Sequence, residues 1–193
     1  RVGDNLEIGG NRIVVEGYEP VSETVWITED TYINGEDSTY ASRNYSDSES
    51  LYFDDGVPCH ALLKFSLPSG NITSATLRLY GEFYDSEPFY IRVLKGGWNY
   101  QTVTWNNRPA SDLVITTPIY PYEEGHRWVE IDITPVIQLW KQGQQNYGIE
   151  VYCSGDAGAR SSRWSNPAYR PHVVFTVSSK VPKVVLGDLG GLP

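Results

Sequence analysis

The stretch VTWNNRPA, residues 103–110, places one large aromatic side chain beside several hydrogen-bond donors. An indole face next to amide and guanidinium groups is what a sugar-binding site requires, because the ring stacks on the sugar while the donors hold its hydroxyls. The same residues could instead fold a loop back onto a core, since a proline forces the residue before it to be extended. Both interpretations concern Trp105, Asn106, Asn107, Arg108 and Pro109.

Other aromatic residues lie where the pattern of buried positions does not account for them. Their rings could stack on sugars, and nearby arginines could hold hydroxyls or carboxylates. The alternative is that they are ordinary loop residues that cover the edge of the domain. The candidate carbohydrate-binding residues are Tyr84, Tyr90, Trp98, Tyr100, Tyr120, Tyr122, Arg160 and Arg163, with Trp164 and Arg170 close to the last two in sequence.

Motifs for catalysis are missing from the sequence. None of His60, His126 and His172 has a metal-ligand spacing such as H-x-x-x-H, and no G-x-S-x-G marks a nucleophilic serine. Adjacent carboxylates occur at 29–30, 54–55 and 123–124. Glycoside hydrolysis needs two carboxylates across a cleft, whereas adjacent pairs are better explained as solvated turn charges. We therefore expect a protein that is not an enzyme and uses no organic cofactor.

Two further patterns are typical of loops. Asp54 and Asp55 precede a glycine, and clustered carboxylate and carbonyl oxygens in a loop are ligands that calcium prefers. The alternative for this pair is again a solvated turn. Asn44 and Asn71 each stand in the N-x-S/T pattern of a glycosylation acceptor, a short pattern that also arises by chance.

The two cysteines occur in segments with apolar alternation. Cys59 shares its parity with Leu63, and Cys153 shares its parity with Val151, so both should face the core. A bridge between them would stabilise the fold by roughly 4 kcal/mol through the entropy of the unfolded chain. The alternative is two buried free thiols that behave as small apolar side chains.

Composition and charge narrow the class of protein. The chain of 193 residues has a formal net charge of -9, and its basic residues are scattered rather than clustered, which argues against a nucleic-acid partner. No apolar run reaches the 18 residues of a membrane span. Fourteen tyrosines and six tryptophans, with many small polar residues, are typical of a secreted or cell-surface β protein.

Alternation of apolar and polar residues dominates the chain. SATLRLYGEF (74–83) puts Leu77 and Leu79 on one face and Arg78 and Tyr80 on the other, and similar segments follow at turn-separated intervals. This pattern predicts an all-β antiparallel sandwich of the jelly-roll kind. One short helix is expected near residues 135–142, with Thr134 as its N-cap and Gly143 as its stop.

The ends of the chain differ from its centre. We expect an N-terminal flank (1–29) that contains an extra strand, a central sandwich (30–177) and a C-terminal tail (178–193). The tail holds an apolar strand that could complete the sheet of a neighbouring molecule. The candidate assembly residues are Val184, Val185, Leu186 and Leu189; alternatively, both ends pack on their own domain.

The central segment resembles the DNRLRE-type domain family, β-sandwich modules of secreted bacterial and archaeal proteins that include carbohydrate-binding modules. The resemblance is carried by DTYIN (30–34), RNYSDSESLYF (43–53), HALLKFSLP (60–68), SATLRLY (74–80), VTWNNRPA (103–110), WVEIDITPVIQLWKQGQQNYGIEV (128–151) and RWSNPAYRPHVVFTV (163–177). In this family TWNxRP recurs in modules attached to very different proteins, which favours a structural corner at Trp105–Pro109. The acidic SDSES departs from the family, and a negatively charged surface repels uronic-acid chains unless calcium bridges them.

The resemblance implies a non-catalytic extracellular module that binds polysaccharide. A second hypothesis is a self-assembling subunit of an extracellular filament or surface layer, in which copies of the chain are joined by exchange of their terminal strands. The sequence segments that carry the resemblance are compatible with both hypotheses, because one fold can carry either function.

Overall fold

The computed structural model describes residues 3–5, 13–84, 87–118 and 123–185. These residues form two antiparallel β-sheets that pack face to face, and helices are confined to short segments. The predicted all-β sandwich is confirmed. Within the described ranges, no helix has the length and apolar character needed to cross a membrane.

The larger sheet has seven strands. They are β1 (Gly3–Asn5), β2 (Ile13–Trp26), β4 (Ser50–Phe53), β6 (Asn71–Phe83), β9 (Arg127–Asp132), β11 (Ala157–Arg160) and β12 (His172–Val185). Their order is β1-β2-β12-β6-β11-β4, and β9 also pairs with β6. Strand β6 therefore has three partners, because β12, β9 and β11 pair with successive and partly overlapping parts of its length.

The smaller sheet has five strands. They are β3 (Glu29–Asn34), β5 (Cys59–Lys64), β7 (Phe89–Leu94), β8 (Ser111–Thr116) and β10 (Ile149–Cys153), in the order β3-β5-β10-β7-β8. Helix α1 (Ser38–Ala41) follows β3, helix α2 (Thr134–Lys141) follows β9, and a 3-10 turn (Pro167–Tyr169) precedes β12.

The core lies between the inner faces of the two sheets. Leu77 and Leu79 of β6 and Phe175 of β12 are fully buried, and they meet Ala61 and Val151 of the smaller sheet in one cluster. The alternation in the sequence predicts this because successive side chains of a strand point to opposite faces. The outward-facing residues of β6 are therefore free to form a surface.

Helix α2 begins one residue earlier than the sequence predicts. Thr134 is its first residue rather than its N-cap, and the Thr134 hydroxyl accepts a hydrogen bond from Ala75 N of β6 at 3.0 Å. Val136, Ile137 and Trp140 are buried in the core, so the helix is held by packing against the sandwich. Gly143, with φ of 105°, allows the chain to leave the helix.

The predicted disulfide between Cys59 and Cys153 is wrong, because both residues are buried thiols that are not bonded to each other. The β5–β10 ladder ends at the Ala61–Val151 pair, before the cysteines would face each other. Cys59 instead forms a backbone bridge with Asp54, and the Cys153 thiol donates to Gly155 O at 2.9 Å. Burial raises the pKa of the Cys59 thiol to about 11, which keeps it protonated at neutral pH.

The two ends of the described chain pair with each other. Strand β2, which lies within the N-terminal flank, pairs with β12 from Trp26–His172 to Ile13–Val185. Val184 and Val185, proposed above as assembly residues, thus pair with Val14 and Ile13 of the same chain. Leu186 and Leu189 lie outside the described residues.

The segment 103–110 folds over the outer face of the smaller sheet. Trp105 is half-buried there, with its ring edge-on to His60 at 5.1 Å, and Arg108 stacks over the opposite part of the indole at 3.6 Å. A Cβ on Gly35 would come within 2.4 Å of Trp105, so the indole occupies space that only glycine leaves open. Asn107 closes the loop by accepting from Thr104 N at 2.7 Å.

A buried polar network lies beneath this loop. His60 Nδ1 donates to Glu150 Oε1 at 2.6 Å, Ser111 donates to the other carboxylate oxygen, and Arg92 Nε donates to Ser111 Oγ at 2.8 Å. Burial alone would raise the pKa of Glu150, but the hydrogen bonds and the positive charge near it outweigh burial and hold the pKa below its usual value. The corner therefore rests on an ionised, hydrogen-bonded carboxylate.

This network makes folding stability depend on pH in a defined direction. A carboxyl whose pKa is depressed by folding stabilises the fold above its unfolded pKa, and that contribution is lost as the pH falls through the folded pKa. The free energy of unfolding should therefore decrease between pH 5 and pH 3, and Glu150→Gln should flatten this part of the profile. Urea titrations at several pH values measure it, with Glu29→Gln as control; a Glu150→Gln profile parallel to the wild type would contradict the expectation.

An ion pair fastens the edge of the smaller sheet to the larger one. Asp30 of β3 is fully buried and accepts from Arg163 Nη2 at 2.6 Å and from Ser162 N at 2.7 Å. Arg163 also donates through Nε to Ser48 O at 3.1 Å, which holds the loop before β4. Burial raises the pKa of Asp30 although Arg163 opposes this shift.

Removing one partner of this pair should be costly. Asp30→Ala leaves the half-buried Arg163 without its carboxylate, and we expect a loss of about 3 kcal/mol in the free energy of unfolding. Glu29→Ala is a matched control, because the neighbouring Glu29–Lys64 pair is more than a third exposed on both sides, and it should cost less than about 1 kcal/mol. Equal losses from both substitutions, measured by urea denaturation, would show that the buried pair does not anchor the edge.

Candidate functional site

A strip of aromatic rings crosses the outer face of the larger sheet. We call it the aromatic strip; it consists of Trp26 of β2, His172 of β12, Tyr80 of β6, Trp128 of β9 and Tyr169 of the 3-10 turn. These strands are adjacent, and their side chains face away from the core because they alternate with buried residues. With strands about 4.8 Å apart, four neighbours span about 15 Å.

The rings of the strip contact one another in sequence. Trp26 lies 4.7 Å from His172, and His172 lies 5.1 Å from Trp128, between ring centroids. Trp128 lies 5.3 Å from Tyr80, which stacks on Tyr169 at 4.3 Å. The rings form an unbroken chain of contacts, and the Arg78 guanidinium lies over the Trp128 ring at 4.8 Å. An exposed ring face such as that of Trp26 is one on which a sugar ring can stack.

The charge state of His172 suits this surface. Burial lowers the pKa of His172 below its usual value, although a hydrogen bond to Arg170 O opposes the shift. The imidazole is therefore neutral at neutral pH, and Trp26 beside it is 45% exposed. At this end, Trp26 presents its ring to the solvent and the neutral His172 lies buried beside it.

A concave site adjoins the strip on strands β4, β6 and β11. This site, which we call the sheet groove, has a volume of about 290 Å³. Tyr52 and Tyr84 are 49% and 55% exposed, and they stand on its walls with Glu82, His126 and Arg160. Exposed aromatic faces beside charged hydrogen-bonding groups are the combination that carbohydrate sites use.

Contacts between charged groups order the walls of the groove. Glu82 accepts from Tyr84 Oη and pairs with His126 Nδ1 at 3.0 Å. Arg160 Nη2 contacts His126 Nε2 at 2.6 Å, and its guanidinium lies 3.8 Å above the ring of Trp164. Tyr80 links the groove to the aromatic strip, with 5.8 Å between its ring and that of His126.

A second concave site lies at the Trp26 end of the strip. This end cavity, of about 490 Å³, is walled by Trp26, Tyr100, Arg163 and Arg170. Arg163 is occupied by the Asp30 pair described above, whereas Arg170 uses Nε to donate to Trp164 O at 2.8 Å. The end cavity thus combines two aromatic walls with a guanidinium group that retains further donors.

The structure separates the residues predicted for carbohydrate binding. Tyr84 and Arg160 meet in the sheet groove, and Tyr100 and Arg163 meet in the end cavity. Tyr90 lies on the outer face of the smaller sheet, stacked on Tyr152 at 4.9 Å. Trp98 packs beneath the 103–110 loop and donates to Tyr147 O at 2.7 Å. Tyr120 and Tyr122 lie outside the described residues.

Sequence reasoning missed the aromatic strip itself. Tyr80 and Trp128 could have been found, because each occupies a polar-facing position in an alternating strand. The sequence around Trp26 and Tyr169 does not indicate that they belong to the strip. The rings that they contact, His172 and Tyr80, lie far from them in the sequence.

The loop patterns have local explanations in the fold. Asp54 Oδ1 accepts from Gly56 N at 2.7 Å, which is a turn contact, and no three His, Cys, Asp or Glu side chains group as metal ligands within the described ranges. Asn44 Nδ2 donates to Tyr100 O and Val103 O at 2.8 and 2.7 Å, so the nitrogen that a glycan would modify is engaged. Calcium binding at Asp54 and Asp55 and glycosylation at Asn71 stay predictions.

Comparison with known proteins identifies the family. The sequence profile of carbohydrate-binding module family 96 matches residues 22–176, which include nearly all strands of both sheets. The chain is also 22% identical over 187 residues to the tRNA nuclease WapA of Bacillus subtilis strain 168 and to the tRNA(Glu)-specific nuclease WapA of Bacillus subtilis subsp. natto. A third relative at 22% identity is the tRNA3(Ser)-specific nuclease WapA of Bacillus spizizenii.

The extent of these matches differs greatly. The alignments with the three nucleases cover 84% of this chain but only 8% of each relative. The family profile covers most of the chain by itself. The chain therefore belongs to carbohydrate-binding module family 96.

Proposed function

We propose that this member of carbohydrate-binding module family 96 is a non-catalytic, extracellular module that binds polysaccharide along the outer face of its larger sheet. The observation that supports the proposal most is the aromatic strip, with a concave site beside it at each end. A glycan chain lying on the strip would stack on Trp26 and Tyr80. The sheet groove and the end cavity would then hold sugar rings through hydrogen bonds.

The chemistry of the site favours binding over turnover. In the groove, Glu82 accepts a hydrogen bond from Tyr84 and pairs with His126, so this carboxylate holds the wall of the groove rather than being free to act on a glycosidic bond. Arg160 and Arg170 supply donors for hydroxyl or carboxylate oxygens. Stacking and hydrogen bonding are sufficient for a binding module.

The proposal predicts that exposed rings of the aromatic strip and of the sheet groove contribute to affinity, while a similarly exposed ring elsewhere does not. Trp26→Ala and Tyr52→Ala should each lower the affinity for a bound polysaccharide about three- to tenfold, the loss expected for one aromatic stack. Tyr40→Ala is the matched control, because Tyr40 is 39% exposed on helix α1, away from the strip, and it should bind as the wild type does.

The measurement is affinity electrophoresis against neutral, amino-bearing and uronate polysaccharides, with calcium and with EDTA, followed by titration calorimetry on the best ligand. Thermal melts of each variant exclude unfolding as the cause of lost binding. Wild-type affinity in both Trp26→Ala and Tyr52→Ala would place the ligand elsewhere. Failure of the wild-type protein to bind any polysaccharide in the panel would count against the proposed function.

A further inference from the structure

His126 occupies a chemically constrained position in the wall of the sheet groove. Its Nδ1 lies 3.0 Å from Glu82 Oε1, and its Nε2 lies 2.6 Å from Arg160 Nη2. A guanidinium group can only donate hydrogen bonds, so Nε2 must accept. Nδ1 then carries the single proton and donates it to the carboxylate. The geometry therefore requires the neutral imidazole in one tautomer.

The placement of Arg160 depends on this acceptor. Its guanidinium lies flat over Trp164 at 3.8 Å, and its Nε is buried without a hydrogen-bond partner. Stacking fixes the height of the group above the ring but allows it to slide in its own plane. The bond to His126 Nε2 fixes its position in that plane, beside the ring of Tyr52 and the carboxylate of Glu82, where the groove would receive a sugar.

We infer that His126 is a pH-sensitive positioning residue, which holds Arg160 in its binding position when neutral and releases it when protonated. A protonated imidazole has no lone pair at Nε2 and would place a second cation beside the guanidinium. The inference rests on the proposed function, because it takes the sheet groove as a ligand site. Histidine is the side chain whose unperturbed form changes charge between about pH 5 and pH 8, so the tests compare the protein across that range.

Several charged groups surround His126. Glu82 and Arg160 contact its two ring nitrogens directly. The other titratable or charged residues of the groove and of the adjoining chain are Asp156, Tyr52, Tyr80, Tyr84, Glu123, Glu124 and Arg127. Whichever of these groups is charged, a protonated ring has no acceptor nitrogen. Protonation of His126 can therefore only weaken its contact with Arg160.

The inference can be tested first without any ligand. The chain has three histidines, and the nitrogen-15 NMR signals of His126 are assigned by their loss in His126→Gln. At pH 8 the ring should show a proton on Nδ1 and an unprotonated Nε2. As the pH is lowered to 5.5, the Arg160 side-chain signal should shift with the same midpoint as His126. A proton on Nε2 at pH 8 would overturn the inference. So would an Arg160 signal that does not shift as the pH is lowered.

Ligand binding provides the second test. Affinity of the wild-type protein for the best polysaccharide of the panel should fall about tenfold or more from pH 8 to pH 5.5, the effect of losing one charge-assisted hydrogen bond. His126→Gln should bind equally at both pH values, because its amide can donate to Glu82 and accept from Arg160 regardless of pH. His126→Ala, which lacks both bonds, should bind weakly at both.

The two tests separate this inference from the function that it builds on. Wild-type affinity that is equal at pH 8 and pH 5.5 would overturn the switch and leave polysaccharide binding intact. A pH dependence that persists in His126→Gln would also overturn it, since His60, His172 or a carboxylate would then be responsible. Absence of polysaccharide binding would count against the proposed function, while the NMR result would still decide whether His126 positions Arg160.

Discussion

Strand β6 is the element on which the rest of the sandwich depends. It pairs with β12, β9 and β11, so its backbone fixes the position of three strands at once. At Gly81 the partner strand comes so close that an added Cβ would lie 1.9 Å from Gly158 O. Only glycine permits this approach, and it brings β11 and β4 into the sheet beside the outward-facing Glu82. Gly158, which pairs with Glu82 in this register, lines the sheet groove.

The two outer faces of the sandwich use similar side chains for different purposes. On the smaller sheet, the loop that carries Trp105 covers His60 and Glu150, and the stacking and hydrogen bonds among these side chains stabilise the fold. On the larger sheet, Trp26 and Tyr52 remain about half exposed, and their ring faces are available to a ligand. An aromatic residue beside polar groups therefore indicates a binding site only when no segment of the chain covers it. Of the two interpretations of VTWNNRPA (103–110), the contacts of Trp105 favour a structural loop over a sugar-binding site.

The comparisons are consistent with a module that is reused in different settings. The family match covers the sandwich, whereas the nuclease relatives share with this chain only a small part of their length. Proteins that share a domain share its fold, whereas the function of the domain in each protein depends on the residues of its surface. In this chain those residues include the aromatic strip and the Glu82–His126–Arg160 contacts. We propose that the carboxylate, the imidazole and the guanidinium in the groove wall make binding by this module depend on pH.

Alternation in the sequence was sufficient to predict strands and the sandwich, because the period of two follows from backbone geometry alone. The helix near 135–142 was predicted from the residues at its two ends. Alternation also placed Tyr80 outward and both cysteines inward. It could not determine which strands are neighbours or where their ladders stop, and the predicted disulfide failed for that reason. The contact between His126 and Arg160, 34 residues apart, likewise exists only because β9 and β11 both pair with β6. Local sequence sets the face on which a side chain lies, whereas sheet order and register, set by packing of the whole chain, decide what it meets there.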